Sequence, residues 1–124
     1  MQALVELTSQ NALSLWFAAI ADSVRRRGAD LSARQMAILL SVYIEAPPHT
    51  VRGMAAALGI SKPAVTRALD TLAKHGFVRR APDPADGRSI LVQRTVKGSV
   101  FLSEFGDIVA GAADDIEALP SPPQ

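Results

Sequence analysis

Apolar residues in this chain recur first at helical spacing, then in alternation, then at helical spacing again. Leu13, Phe17, Ile20 and Val24 follow a 4-3-4 pattern. That pattern makes one face of a helix predicted over about residues 9–27. Gly28 is expected to stop it. Arg25, Arg26 and Arg27 then fall in the last turn, where cations suit the free carbonyls. Ser32-Ala-Arg-Gln35 is a capping-box pattern. It predicts a helix over about 33–46, buried through Met36, Leu39, Leu40 and Tyr43 and ended by Pro47-Pro48.

The next stretch predicts two short helices around a tight turn. The first, about 51–58, is Ala-rich, so a second helix can approach it closely. Thr50 is a candidate cap. Gly59 can take the left-handed conformation the turn needs. Ile60 is expected to enter the core, and Ser61 to cap a helix over about 62–75 with Pro63 in its first turn. On that helix Val65, Ala68, Leu69 and Leu72 share an apolar face. Pro63, Thr66, Arg67, Asp70 and Lys74 share the opposite one. Gly76 ends the helix. Two strands follow, about 77–82 and 89–94, with Asp86-Gly87 as the turn signal between them. Their loop, Asp83 to Arg88, is longer than a minimal turn, so it projects with Arg88 at its tip. His49-Thr50-Val51 is a candidate third strand.

Thr95 is a candidate cap for a last helix over about 96–118. Leu102, Phe105, Val109, Ala112, Ile116 and Leu119 run at 3-4-3-4-3 spacing, a coiled-coil-like seam. It matches the stripe of Leu13, Phe17 and Ile20. The two stripes bury each other within one chain or pair across a two-fold axis. The predicted fold is mostly α with a small β-hairpin (α+β), a winged helix-turn-helix. Residues 31–95 form its core, flanked by an N-terminal segment, 1–30, and a C-terminal helix, 96–119, which would make a dimerisation body in the second case. Residues 120–124 are expected to be a disordered tail.

Composition narrows the chemistry. With 124 residues and 48% apolar content, a single folded domain is expected. No cysteine is present, which excludes disulfides, thiolate sensing and a cysteine zinc site. No apolar run reaches membrane-spanning length and the N-terminus lacks a signal-peptide pattern, so the cytoplasm is the expected compartment. The net charge of +1 hides a partition. Residues 51–94 carry eight bases against three acids, whereas residues 95–124 carry one base against five acids. The basic segment is the one with helix-turn-helix topology, which points to a polyanion partner.

The stretches LSARQMAILL, TVRGMAAALGISKPAVTRALDTLAKHGFVRR, DPADGR and TVKG occur in the order of the MarR family of winged-helix transcriptional regulators. The block from about Leu31 to Phe101 resembles that family, and the wing residues Asp83 and Asp86-Gly87-Arg88 are its most specific match. The resemblance implies a homodimer on a palindromic double-stranded DNA operator. The second helix of the pair would enter the major groove and the wing arginine the minor groove. Carried over, Ser61, Lys62, Pro63, Thr66 and Arg67 would lie in the groove, with Arg88 as the wing contact. The resemblance also implies a small aromatic effector bound between dimer body and DNA domain. The chain is shorter after the wing than family members are expected to be. Trp16 and Phe17 read either as lining for such a pocket or as core.

Chemistry assigns roles within that picture. Arg67 suits guanine O6/N7, and Thr66 lies beside it. Ser61, free amides of the first turn and Lys62 suit a phosphate. Arg88 suits a narrow minor groove. Asp83 and Asp86 are expected to brace the wing, with Gly87 completing the turn. Lys74 and Arg79 are further candidate contacts, although alternation does not choose between Arg79 and Arg80. The expected dimer seam is Leu13, Phe17, Ile20, Leu102, Phe105, Val109 and Ile116. No metal site, cofactor or membrane contact is expected.

An enzyme is not expected. The sequence has no Gly-rich phosphate loop, no His-Glu-x-x-His and no Gly-x-Ser-x-Gly, and its two histidines, His49 and His75, read as surface or capping residues. RNA binding lacks exposed aromatics in the basic segment. The alternative is a protein-interaction adaptor that keeps the winged-helix shape. Salt-dependent DNA affinity separates the two.

Overall fold

Five helices and one antiparallel hairpin make up the computed structural model, which describes residues 7–118. In chain order they are α1 (Ser9–Arg25), α2 (Ala33–Ile44), α3 (Val51–Leu58), α4 (Lys62–Lys74), β1 (Val78–Pro82), β2 (Ile90–Arg94) and α5 (Val96–Ala118). They divide into two units. Residues 31–102 form one. The other contains α1 and the part of α5 from Ser103 onward. The expected tail, residues 120–124, and Leu119 of the seam lie outside the described residues.

In the unit of residues 31–102, α3 and α4 form the helix-turn-helix. Thr50 accepts the Gly53 amide at 3.0 Å and so caps α3. Gly59 ends it in the left-handed region, at φ 66°. Ser61 caps α4 by accepting the Ala64 amide at 3.2 Å. Ile38, Leu39 and Val42 of α2 and Val65, Leu69 and Leu72 of α4 have no exposed side chain and form the centre of the core. Each such burial stabilises by about 1.5–3 kcal/mol. The capping box of α2 forms in both directions, with Ser32 on the Gln35 amide at 3.1 Å and Gln35 on the Ser32 amide at 2.9 Å.

The buried stripe of α2 differs from expectation. Leu39 is in the core as read, but its fully buried companions are Ile38 and Val42, while Met36, Leu40 and Tyr43 are half-buried. Nearly every position of α2 from Met36 to Ile44 is apolar. Spacing alone therefore selects no single face. Strand register pairs Val78 with Arg94 and Pro82 with Ile90. The third strand at His49-Thr50-Val51 reduces to one bridge, Thr50 to Leu91. A stack of His75, Phe77 and Phe101 covers the end of the hairpin, with centroids 5.3 and 4.3 Å apart.

The join of β2 and α5 is tied to α2 by Tyr43. Its hydroxyl accepts the Thr95 amide at 2.8 Å and lies 2.8 Å from the Phe77 carbonyl and 3.0 Å from that of Thr95. Thr95 caps α5 by accepting the Gly98 amide at 2.9 Å. Gly98 is buried against this knot. A Cβ there would overlap the Phe77 carbonyl oxygen and the Tyr43 hydroxyl.

In the other unit, Thr8 caps α1 by accepting the Asn11 amide at 3.1 Å. Ala19 and Ala112 are buried, and Trp16 meets Phe105 edge to face at 6.3 Å. The helix does not stop at Gly28. Arg26 is its C-cap, and Arg27 takes the left-handed step at φ 54°. Arg26 pairs with Asp22 at 3.2 Å, one turn back. Leu13, Phe17 and Val24 stay 72, 74 and 67% exposed, with Ile20 beside them. On α5, Phe105, Val109 and Ile116 are half-buried, as is Leu102 in the first unit.

Candidate nucleic-acid interface

Helix α4 presents two unlike faces. Ala64, Val65, Ala68, Leu69 and Leu72 are buried. Lys62, Pro63, Thr66, Arg67, Asp70 and Lys74 lie along the other side. This outer stripe combines three cations with a hydroxyl. Among the described residues, the side chains of Lys62, Arg67 and Lys74 make no ion pair or hydrogen bond. They are free for an outside ligand. The first turn offers fewer free amides than expected, because Pro63 has none and that of Ala64 goes to Ser61 Oγ.

The wing between β1 and β2 closes on its two aspartates. Asp83 Oδ1 accepts the Ala85 amide at 2.9 Å. Asp86 Oδ1 accepts the Arg88 amide at 3.1 Å, and its Oδ2 the Ser89 hydroxyl at 3.2 Å. Backbone bonds from Asp83 N to Ser89 O and from Ser89 N to Asp86 O, 3.0 and 2.9 Å, close the loop. Both carboxylates are thereby turned to loop amides, and the exposed Arg88 guanidinium has no partner among the described residues. Gly87 is not in the left-handed region, and a Cβ there would meet nothing within 4 Å. The turn thus makes no steric demand for glycine.

The remaining arginines of the basic segment differ in use. Arg79 lies across from Gln93 and donates to its Oε1 from Nε and Nη2, at 3.2 and 2.9 Å. Arg80, on the opposite face of β1, pairs with Asp70 of α4 at 2.7 Å. Arg94 caps α2, donating from Nε to the Val42 carbonyl at 2.8 Å and from Nη2 to that of Glu45 at 3.2 Å. Its guanidinium also lies 5.7 Å from the centroid of the Tyr43 ring. The basic excess of residues 51–94 is therefore partly internal. Arg94 serves the fold and Arg80 neutralises an acid. No sequence signal marks either pairing, since both join residues on different elements.

His49 is a correction. It is not a surface residue but 8% exposed, and its Nε2 has no hydrogen-bond partner. Its carbonyl accepts the Val92 amide at 2.9 Å, which fixes the start of α3 to β2. Burial lowers its pKa below the ordinary 6.5. Arg94 lowers it further, against an upward pull from Glu45. His75 caps the C-terminus of α4, as a capping residue should.

A shallow cleft of about 490 Å³ opens between the first turn of α2 and α4, with Arg34, Gln35, Arg67 and Thr71 among its lining. Among the described residues no cluster of three or more His, Asp or Glu side chains is placed to hold a metal ion, and no helix is long and apolar enough to cross a membrane.

Residues 31–90 match the MarR family model. The multiple antibiotic resistance protein MarR of Escherichia coli (strain K12) is 32% identical over 80 residues, which are 64% of this chain and 55% of that protein. The match thus spans about half the length of that relative. Among solved structures, a point mutant of MepR from a multidrug-resistant S. aureus clinical isolate superposes with a TM-score of 0.75 at 20% identity, over 94% of this chain and 86% of that one. That likeness shows the fold. The transcriptional repressor CouR, solved bound to a 23-mer DNA duplex, superposes with a TM-score of 0.68 at 25% identity, over 86% of this chain and 72% of its own.

Proposed function

We propose that this chain, whose residues 31–90 match the MarR family model, is a member of that family and a sequence-specific transcriptional regulator that binds double-stranded DNA as a homodimer on a palindromic operator. The observation that carries the reading is the outer stripe of α4. Its three cations have no internal partner, and it stands on the second helix of a helix-turn-helix.

In this reading α4 enters the major groove. Arg67 reads a guanine edge and Thr66 a neighbouring base, while Pro63 packs against the groove wall. Lys62, Lys74 and the Ser61 hydroxyl hold phosphates at the two ends of the helix. Arg79, steadied by Gln93, offers its three remaining N–H donors to the backbone. The wing, closed by its aspartates, presents Arg88 to the minor groove, where A·T tracts concentrate negative potential. The exposed stripe of Leu13, Phe17, Ile20 and Val24 joins the α5 seam in pairing two copies. An aromatic effector near Trp16 and a cytoplasmic location complete the family picture.

Fluorescence anisotropy with duplex DNA over a series of salt concentrations tests this. Affinity should fall steeply, with a log–log slope of about −0.9 for each phosphate neutralised. Arg67→Ala should relax the preference at one base position per half-site, at a cost of about 1–3 kcal/mol for the preferred base. A chain that ignores DNA at physiological salt would contradict this reading and favour a protein-interaction adaptor.

A further inference from the structure

Asp70 stands on the stripe proposed to face DNA, three residues after Arg67 and four before Lys74. At those spacings the three side chains are neighbours along the helix surface. A carboxylate there repels phosphate. Its partner is Arg80, which crosses from β1 and bonds Asp70 Oδ1 at 2.7 Å. The pair is solvated, with side chains 34% exposed for Arg80 and 57% for Asp70, so it adds little to folding stability. Its consequence for a polyanion is larger. Lys62, Arg67, Lys74 and Arg88 are unpaired among the described residues, whereas Arg80 is held by an acid.

We infer that Asp70 is a specificity-determining residue that withholds Arg80 from the DNA backbone and so suppresses sequence-independent binding. The inference rests on the DNA-binding reading above. A free Arg80 would add a phosphate contact that every duplex offers equally. Such a contact raises affinity for correct and incorrect sites alike and carries no sequence information. Holding the cation in an internal pair lowers the floor of non-specific affinity while leaving base-reading groups untouched. Discrimination is a difference between affinities, so lowering the floor widens it.

The pairing predicts opposite effects for its two halves. Asp70→Asn frees Arg80 and removes a repelling charge, so affinity for a mixed-sequence duplex should rise about fivefold, the scale of one unit-charge contact in water. Its salt slope should steepen by about 0.9. Arg80→Ala leaves Asp70 uncompensated, so affinity for the same duplex should fall and its slope should become shallower. The double variant should return close to wild type.

The experiment is anisotropy of the full chain and the three variants with the mixed-sequence duplex and with a duplex recovered by genomic selection, each across a salt series. Thermal melts of all four proteins run alongside. The expected result is tighter mixed-duplex binding and reduced discrimination in Asp70→Asn, with an unchanged melt. Wild-type binding with Asp70→Asn equal to it or weaker overturns the withholding role. So does loss of binding in both single variants alike, because a purely structural strut would act that way. A wild type that binds neither duplex overturns the DNA-binding reading itself, and the inference with it.

Discussion

Replacing Gly98 by alanine should destabilise the protein, although helix propensity alone favours the change. Gly98 lies in the first turn of α5, and glycine to alanine within a helix gains about 1 kcal/mol. Here the added methyl would overlap the Phe77 carbonyl oxygen and the Tyr43 hydroxyl, and would lie 2.9 Å from Tyr43 Cζ. Overpacking of this kind costs about 1–3 kcal/mol. If Tyr43 swings aside, its hydroxyl also loses the Thr95 amide and the Phe77 carbonyl, at about 1 kcal/mol each. The losses exceed the gain, and the net destabilisation is about 2–4 kcal/mol. Urea unfolding followed by far-UV circular dichroism measures it, with the slope checked for a constant unfolded state. Tyr43→Phe removes the hydroxyl that the new methyl strikes, so the double variant should cost less than the two single changes added together. Gly98→Ala as stable as wild type, or more so, would refute the close approach of α5 to this knot.

His49 gives a dependence on pH. Its imidazole is held below the ordinary 6.5 in the folded chain, so the unfolded chain binds more protons near that value. The stability is complete above about 6.5 and falls as pH drops from there towards the lower, folded value. His49→Gln should flatten that part of the stability curve, and an unaltered curve measured by urea midpoints would contradict the burial. Arg27 takes the left-handed step after α1 at φ 54°, which costs a residue with a Cβ about 1 kcal/mol. Arg27→Gly should therefore raise the urea midpoint, and a lower midpoint would show that the Arg27 side chain matters more than its backbone.

The local devices are legible in the sequence, and the pairings between distant elements are not. Ser32 with Gln35, Thr50, Gly59 and Ser61 act within a few residues of themselves, so their types and spacing announce the helix ends. The inner face of α4 is legible because polar residues outline it, whereas α2 has no polar outline and spacing finds Leu39 but not Ile38 and Val42. Tyr43 meets partners 34 and 52 residues away, and Arg94 meets Val42 across 52. No period or motif encodes such a meeting. The same limit explains Arg80 and His49. Charge along the chain counts Arg80 as a free cation, but β1 brings it to Asp70, and a histidine after two prolines reads as exposed, but the fold buries it. The left-handed step falls on Arg27, one residue before the glycine that marks the stop in the sequence.

A selection from sheared genomic DNA at about 150 mM salt, with Arg88→Ala in parallel, tests the proposed function most directly. Wild type should enrich a palindrome whose half-sites lie about one helical turn apart, and Arg88→Ala should lose it first where A·T pairs flank the half-sites. Fragments no more enriched than those captured without protein would contradict it.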